Sequence, residues 1–334
     1  MTAGRWGALD VARGLAVLAM VAFHLTWDLG HFGYIAASIP WSAPVKAFGH
    51  AIAFSFLFIA GVSLALAHRN GVQWRAFWRR FAIVAGAAGL VSVGTYIVFP
   101  SAFVFFGILH CIAAASLLAI GFLFLPWPAA LFAGVLFFAA PHVLASPVFN
   151  STWLQWLGLS TTEPYTQDWR PFFPWAGAML IGVGAGRLIV RRLYGEKAEE
   201  QKRVETFTEA GQPPAWLTRQ ASQPIPFPAR GEKGWLSLAG RNSLLIYLVH
   251  QPVLFAVFTG LVMLAPPPEA ASDFIAECVR SCRAEGAEEG FCHNACVCTA
   301  DEATRSQALA GITDDAERGK RLREIAGKCI ASQK

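Results

Sequence analysis

The chain has 334 residues, of which 55% are hydrophobic and only 15% charged, and its mean hydropathy is +0.44. Soluble domains carry about 25% charged residues, whereas from Phe81 to Thr162 this chain has not one Lys, Arg, Asp or Glu. That excludes a water-soluble fold, because so long a charge-free stretch needs lipid as its solvent.

The expected fold is therefore all-α, a polytopic membrane helix bundle. Apolar segments read as spans at 9–30, 47–67, 81–99, 103–124, 128–146, 171–191 and 236–264, each close to the ~17–25 residues that cross a bilayer. The first opens with Asp10 and Arg13 and is read as a retained span, not a cleaved leader. Basic residues set the orientation. Arg5 and Arg13 precede or open the first span; Arg69, Arg75, Arg79 and Arg80 follow the second; Arg187, Arg191, Arg192, Lys197, Lys202 and Arg203 follow the sixth. Opposite loops hold little more than Lys46 and Arg170. The positive-inside rule puts the N-terminus in the cytoplasm and, after an odd number of spans, the C-terminus outside. The location of the basic residues says more than the formal charge of +5, and no nucleic-acid partner is expected.

Four regions follow: helices 1–6 in residues 1–192, a polar, Pro/Gln-rich cytoplasmic linker at 193–234, the last span in 235–265, and a tail at 266–334. Cys111 stands alone in an apolar run, as a small packing residue would. The other six cysteines, Cys278, Cys282, Cys292, Cys296, Cys298 and Cys329, all fall in the tail. Exported by the topology, they read as a disulfide framework. Ser272 is the expected N-cap of a helix holding Cys278 and Cys282, Gly286 and Gly290 bracket a turn, and a second helix holds Cys292 and Cys296. Cysteines four apart share a helical face, so two bridges staple the antiparallel pair, and Cys298 with Cys329 remains as the third. Zinc bound by these cysteines and His293 is the rival, set lower because of the exported location. No metal is expected.

Ionisable groups inside a span are costly and mark function. In the first span, Arg13 and His24 are eleven residues apart, about 20° of rotation on a helix. Asp10, Arg13, His24, Asp28 and His31 share one face within roughly 80°, which must point away from lipid. Asp28, one turn from His24, suits a base–orienter pair, and Arg13 suits a phosphate by charge and fork geometry. The bland alternative is interhelical glue. Five groups on one stripe favour function. Other intramembrane candidates are His110 and, in the last span, His250, which shares a face with Ser243 and Tyr247. Pro252 there frees the carbonyl of Leu248. Asp168 lies at the outer mouth of the sixth span. His50 and His142 read as structural, and Gly182, Gly184 and Gly186 as sites of close helix packing.

At these residues the sequence resembles the transmembrane acyltransferases, and within them the heparan-alpha-glucosaminide N-acetyltransferase-like branch. Four stretches carry the resemblance: Asp10 to Gly14 through Asp28; Phe106-Gly107-Ile108-Leu109-His110; Asp168 to Trp175 with Gly182 and Gly186; and Ser243 through Pro252. It implies transfer of an acyl group, usually acetyl, from cytoplasmic acyl-CoA to a hydroxyl or amine of a glycan or similar small polar acceptor on the far side. An intramembrane His is then the catalytic group. His24 occupies the motif position; in the animal lysosomal enzyme that position is Asn with the catalytic His further along, which keeps His31 open beside it. The expectation is an enzyme with His24 and Asp28 catalytic, Arg13 holding acetyl-CoA or another acyl-CoA, and His31, His110, Asp168, Ser243 and His250 around the substrate. It would sit in a bacterial inner membrane with a periplasmic tail, as a homo-oligomer or with a periplasmic partner bound through that tail. The alternative is a transporter or flippase whose polar stripe carries substrate or protons.

Overall fold

The computed structural model describes residues 6–36, 38–210, 234–265, 268–306, 308–309 and 314–331, with backbone alone at 193–210, 268–273, 304, 305 and 315. Among the described residues all regular structure is helical. In chain order it runs α1 (Gly7–His31), α2 (Ala43–Ala67), α3 (Trp74–Val98), α4 (Ile108–Gly121), α5 (Trp127–Leu144), α6 (Phe172–Ala210), α7 (Trp235–Arg241) and α8 (Ser243–Leu264). The tail adds α9 (Pro268–Ala284), α10 (Glu289–Arg305) and α11 (Asp315–Ala331). Among the described residues, six helices are long and apolar enough to cross a bilayer: α1, α2, α3, α5, the Phe172–Arg192 part of α6, and α8. The chain is an all-α, multi-pass membrane protein.

Two expected spans differ in detail. The fourth, 103–124, contains only the 14 residues of α4 as α-helix, about 21 Å against a hydrocarbon core of ~30 Å. The last, 236–264, breaks at Asn242, which separates the short α7 from α8. The expected linker 193–234 begins within α6, whose helix continues to Ala210; residues 211–233 lie outside the described residues.

Two compact units are distinguished: Met1–Val21 with Ala47–His250, and Ala22–Lys46 with Gln251–Lys334. The core of the first gathers Leu57, Ala60 and Leu64 of α2, Cys111, Ala115 and Ala119 of α4, and Ala176, Met179 and Val183 of α6. Without a hydrophobic force between helices in lipid, small residues that let backbones touch do most of the joining. Gly61 of α2 faces the Met179 carbonyl, and Gly182 of α6 faces the Phe58 carbonyl, each so closely that a Cβ would collide. Gly186 meets α2 on the same side, while Gly184 meets Leu131 of α5. Close packing by the glycines of α6 is thus present, on two faces. Gly14 of α1 and Gly240 of α7 form a similar reciprocal seam against the carbonyls of Leu236 and Asp10.

In the second unit, Phe32 packs on Phe255 and Phe258 at ring separations of 5.1 and 5.7 Å, and the Tyr34 hydroxyl donates to the Ala265 carbonyl at 2.7 Å. The tail is stapled as Cys278–Cys296, Cys282–Cys292 and Cys298–Cys329. The first two bridges join α9 to α10, as the four-residue spacing suggests, and the third ties α10 to α11. Gly286 turns the chain between α9 and α10 at φ 91°, a left-handed backbone that glycine adopts without a steric cost. The expected N-cap Ser272 lies inside α9, which starts four residues earlier at Pro268; proline's fixed φ suits a first helical turn.

Candidate functional site

α1 is one uninterrupted helix, so the 3.6-residue period that aligns its ionisable residues holds throughout. Near its start, Asp10 is 1% exposed and lies between two cations. Arg13 Nη1 donates to Asp10 Oδ1 at 3.2 Å, and Arg241 Nε, from the end of α7, donates to Oδ2 at 3.4 Å. The second nitrogen of the Arg13 fork donates to Ser63 Oγ of α2 at 2.5 Å, and Ser63 donates in turn to the Ile59 carbonyl. A carboxylate this buried is tolerable only when paired and hydrogen-bonded, and both conditions are met. Just beyond α2, buried His68 accepts the Gln73 N–H at Nδ1, 3.1 Å away. Burial first, and the positive charge of Arg80 second, hold its pKa below the ordinary histidine value.

The non-helical stretch before α4 is held by side chains from three places in the chain. Asp168 Oδ2 accepts the Ile108 N–H at 2.8 Å, capping the helix start. A Cβ at Gly107 would collide with that carboxylate oxygen. Arg170 lies 4.0 Å from the other oxygen and over the Trp175 ring at 5.4 Å. His110 reaches back from the first turn, its Nδ1 accepting the Gly107 N–H at 3.2 Å. That fixes the neutral tautomer: Nε2 carries the hydrogen towards Ser92 Oγ at 3.2 Å, and Ser92 donates to the Val104 carbonyl at 2.6 Å. Both nitrogens of His110 are therefore engaged in holding this corner. On α8, His250 Nδ1 faces the carbonyls of Tyr247 and Ile246 at 2.7 and 3.2 Å. Carbonyls only accept, so Nδ1 is the protonated nitrogen and Nε2 the basic one. Ser243 is half-buried at the start of the same helix.

In the second unit, Asp28 is fully buried. Its Oδ1 accepts from Gln251 Nε2 at 2.9 Å. His24 is half-buried, its ring edge-on to Phe23 at 5.5 Å. His31 is exposed at the helix end, stacked on Trp27 at 4.7 Å and tilted to Phe255 at 5.8 Å.

The sequence alone assigned no role to Ser63, Ser92, Arg241 or Gln251. Ser63 and Ser92 were visible only as polar interruptions of apolar helices, and Gln251 as a polar residue between His250 and Pro252. Among the described residues no group of three or more His, Cys, Asp or Glu is placed to hold a metal.

The catalytic-domain model of heparan-alpha-glucosaminide N-acetyltransferase matches residues 5–221. The chain belongs to that family. Within the matched segment lie α1, the capped start of α4 and the glycines of α6; α7, α8 and the tail fall outside it. Membership makes the protein a membrane acetyltransferase, and three of the four stretches of resemblance lie within the match. No curated protein and no solved structure matches the chain.

Proposed function

We propose that this acetyltransferase takes an acetyl, or related acyl, group from cytoplasmic acyl-CoA and transfers it to a hydroxyl or amine of a glycan or similar polar acceptor on the far side. The observation that carries the reading is the stripe of five ionisable residues on α1 within the segment that matches the family. Arg13, steadied by Asp10 and Ser63, supplies positive charge for the donor's phosphates, with the more exposed Arg241 beside the same carboxylate. His24 removes the proton from the acceptor as general base, or carries the acyl group in transit. Asp28, one helical turn along, stabilises the imidazolium that forms. Roles in holding the acceptor are proposed for His110, Asp168, Ser243 and His250, and His31 is the other histidine able to serve as base.

The N-terminus lies in the cytoplasm and the tail in the periplasm, with the chain in a bacterial inner membrane. Two independent features support this topology: the basic residues that follow α2 and those in the second half of α6, and the three disulfides of the tail, which persist in oxidising compartments.

The test is calorimetric binding of acetyl-CoA to detergent-solubilised protein, paired with an acetyl-transfer assay, for wild type, Arg13→Ala, His24→Ala and His31→Ala. Arg13→Ala should weaken donor binding. His24→Ala should abolish transfer while binding persists. Turnover retained in His24→Ala and lost in His31→Ala would move the base to His31, and folded wild type that binds no acetyl-CoA would remove the donor from the proposal.

A further inference from the structure

Between the first turn of α1 and the start of α7 lies a recess of about 340 Å³, lined by Gly7, Ala8, Val11, Trp235, Leu236 and Ser237 together with Gly234. It is within the size range of small-molecule sites. Three features of its wall are chemically specific. The amides of Gly7 and Ala8 belong to the helical turn that has no intrahelical acceptors, at the positive end of a 25-residue helix. Ser237 is 2% exposed, and its hydroxyl has no hydrogen-bond partner among the described residues. A buried hydroxyl left in that state is costly unless something else completes it. Trp235 presents an indole that is 67% exposed, a flat surface on which an aromatic base stacks.

The charge around the recess suits an anion. Among the described residues the one nearby acid on α1, Asp10, faces two cations, Arg13 and Arg241. Arg241 stands four residues beyond Ser237 on α7, on the same helical face. Trp6, immediately before α1, also keeps a buried indole N–H without an acceptor among the described residues.

From these features we infer that the recess between α1 and α7 binds a phosphate-bearing adenine nucleotide, with the base stacked on Trp235 and a phosphate against the first turn of α1 and the Ser237 hydroxyl. The inference rests on the acyl-CoA reading above and deepens it, since the nucleotide half of coenzyme A has this chemistry. An anionic lipid headgroup shares the phosphate but has no base to stack.

The experiment uses the full chain in nanodiscs of zwitterionic lipid. Adenosine 3′,5′-bisphosphate should bind wild type, with affinity reduced roughly tenfold in Trp235→Ala, which loses one stacked base, and by a similar factor in Ser237→Ala, which loses a hydrogen bond to a charged group. In the transfer assay both variants should raise KM for acetyl-CoA without changing kcat. With S-acetylpantetheine, which lacks the nucleotide, they should match wild type. Unchanged KM for acetyl-CoA in both variants, in an active enzyme, would overturn the subsite and leave the acyltransferase reading standing. Bisphosphate binding that depends on Trp235 in a protein without transfer activity would support the subsite and count against the reading. Equal losses with S-acetylpantetheine would reduce both residues to structural roles, and competition by phosphatidylglycerol without any bisphosphate binding would assign the recess to lipid; each overturns the inference.

Discussion

Replacing Asp10 with Asn removes the negative charge between Arg13 and Arg241 while keeping the shape of the side chain. The two arginines do not share the loss equally. Arg13 is 20% exposed and holds Asp10 at 3.2 Å, whereas Arg241 is 45% exposed at 3.4 Å. Breaking a buried pair by removing one partner costs about 3–5 kcal/mol, and exposed pairs contribute only about 0.2–1 kcal/mol. Asp10→Asn should therefore destabilise the protein by about 3 kcal/mol, at the low end because one cation keeps much of its water. In double-mutant cycles, coupling of Asp10 to Arg13 should be about 2 kcal/mol and coupling to Arg241 below about 1 kcal/mol. The assay is equilibrium unfolding in mixed micelles titrated with SDS, followed by tryptophan fluorescence. Coupling to Arg241 that equals or exceeds coupling to Arg13 would refute the assignment of the energy by burial.

His68 is held below its ordinary pKa of 6.5 by burial and by Arg80, so the unfolded chain binds the proton more readily. Its contribution is intact above about pH 6.5 and is lost as pH falls from there towards the lower folded value; thermal stability should drop over that window, and His68→Gln should flatten the drop. Asp168→Ala removes the cap on the Ile108 amide and should cost about 1 kcal/mol in thermal unfolding; Gly107→Ala, which pushes a methyl into the Asp168 carboxylate, should cost more. In the tail, Cys298–Cys329 spans 31 residues and Cys282–Cys292 spans 10, so chain entropy assigns about 3.7 and 2.7 kcal/mol to them. Cys298→Ser should accordingly open the tail to proteolysis more than Cys282→Ser, with the membrane helices still intact by circular dichroism.

The membrane architecture was legible because lipid leaves a local trace, in which each span is written in its own run of apolar residues. The hairpin of the tail was legible for a similar reason, since Cys278 and Cys282 repeat at the helical period. Long-range pairings leave no such trace. The helix expected over 103–124 is shortened by Asp168, which caps Ile108 from sixty residues away. Asp28 meets Gln251 across 223 residues, a partnership no spacing rule can supply. The glycines of α6 announced close packing, but only the fold shows that Gly182 and Gly186 meet α2 while Gly184 meets α5. Arg13 looked like a cation awaiting a ligand, and Ser63, hidden in an apolar run, is where one end of its fork goes.

The shortness of α4 has a further consequence. Its 14 residues account for about two-thirds of the hydrocarbon thickness. The irregular backbone before it has amides and carbonyls satisfied by Asp168, His110, Ser92 and Thr95, the arrangement that allows irregular chain within a membrane. A chain crossing a bilayer at that corner would do so with fewer helical turns than along any of the six longer helices.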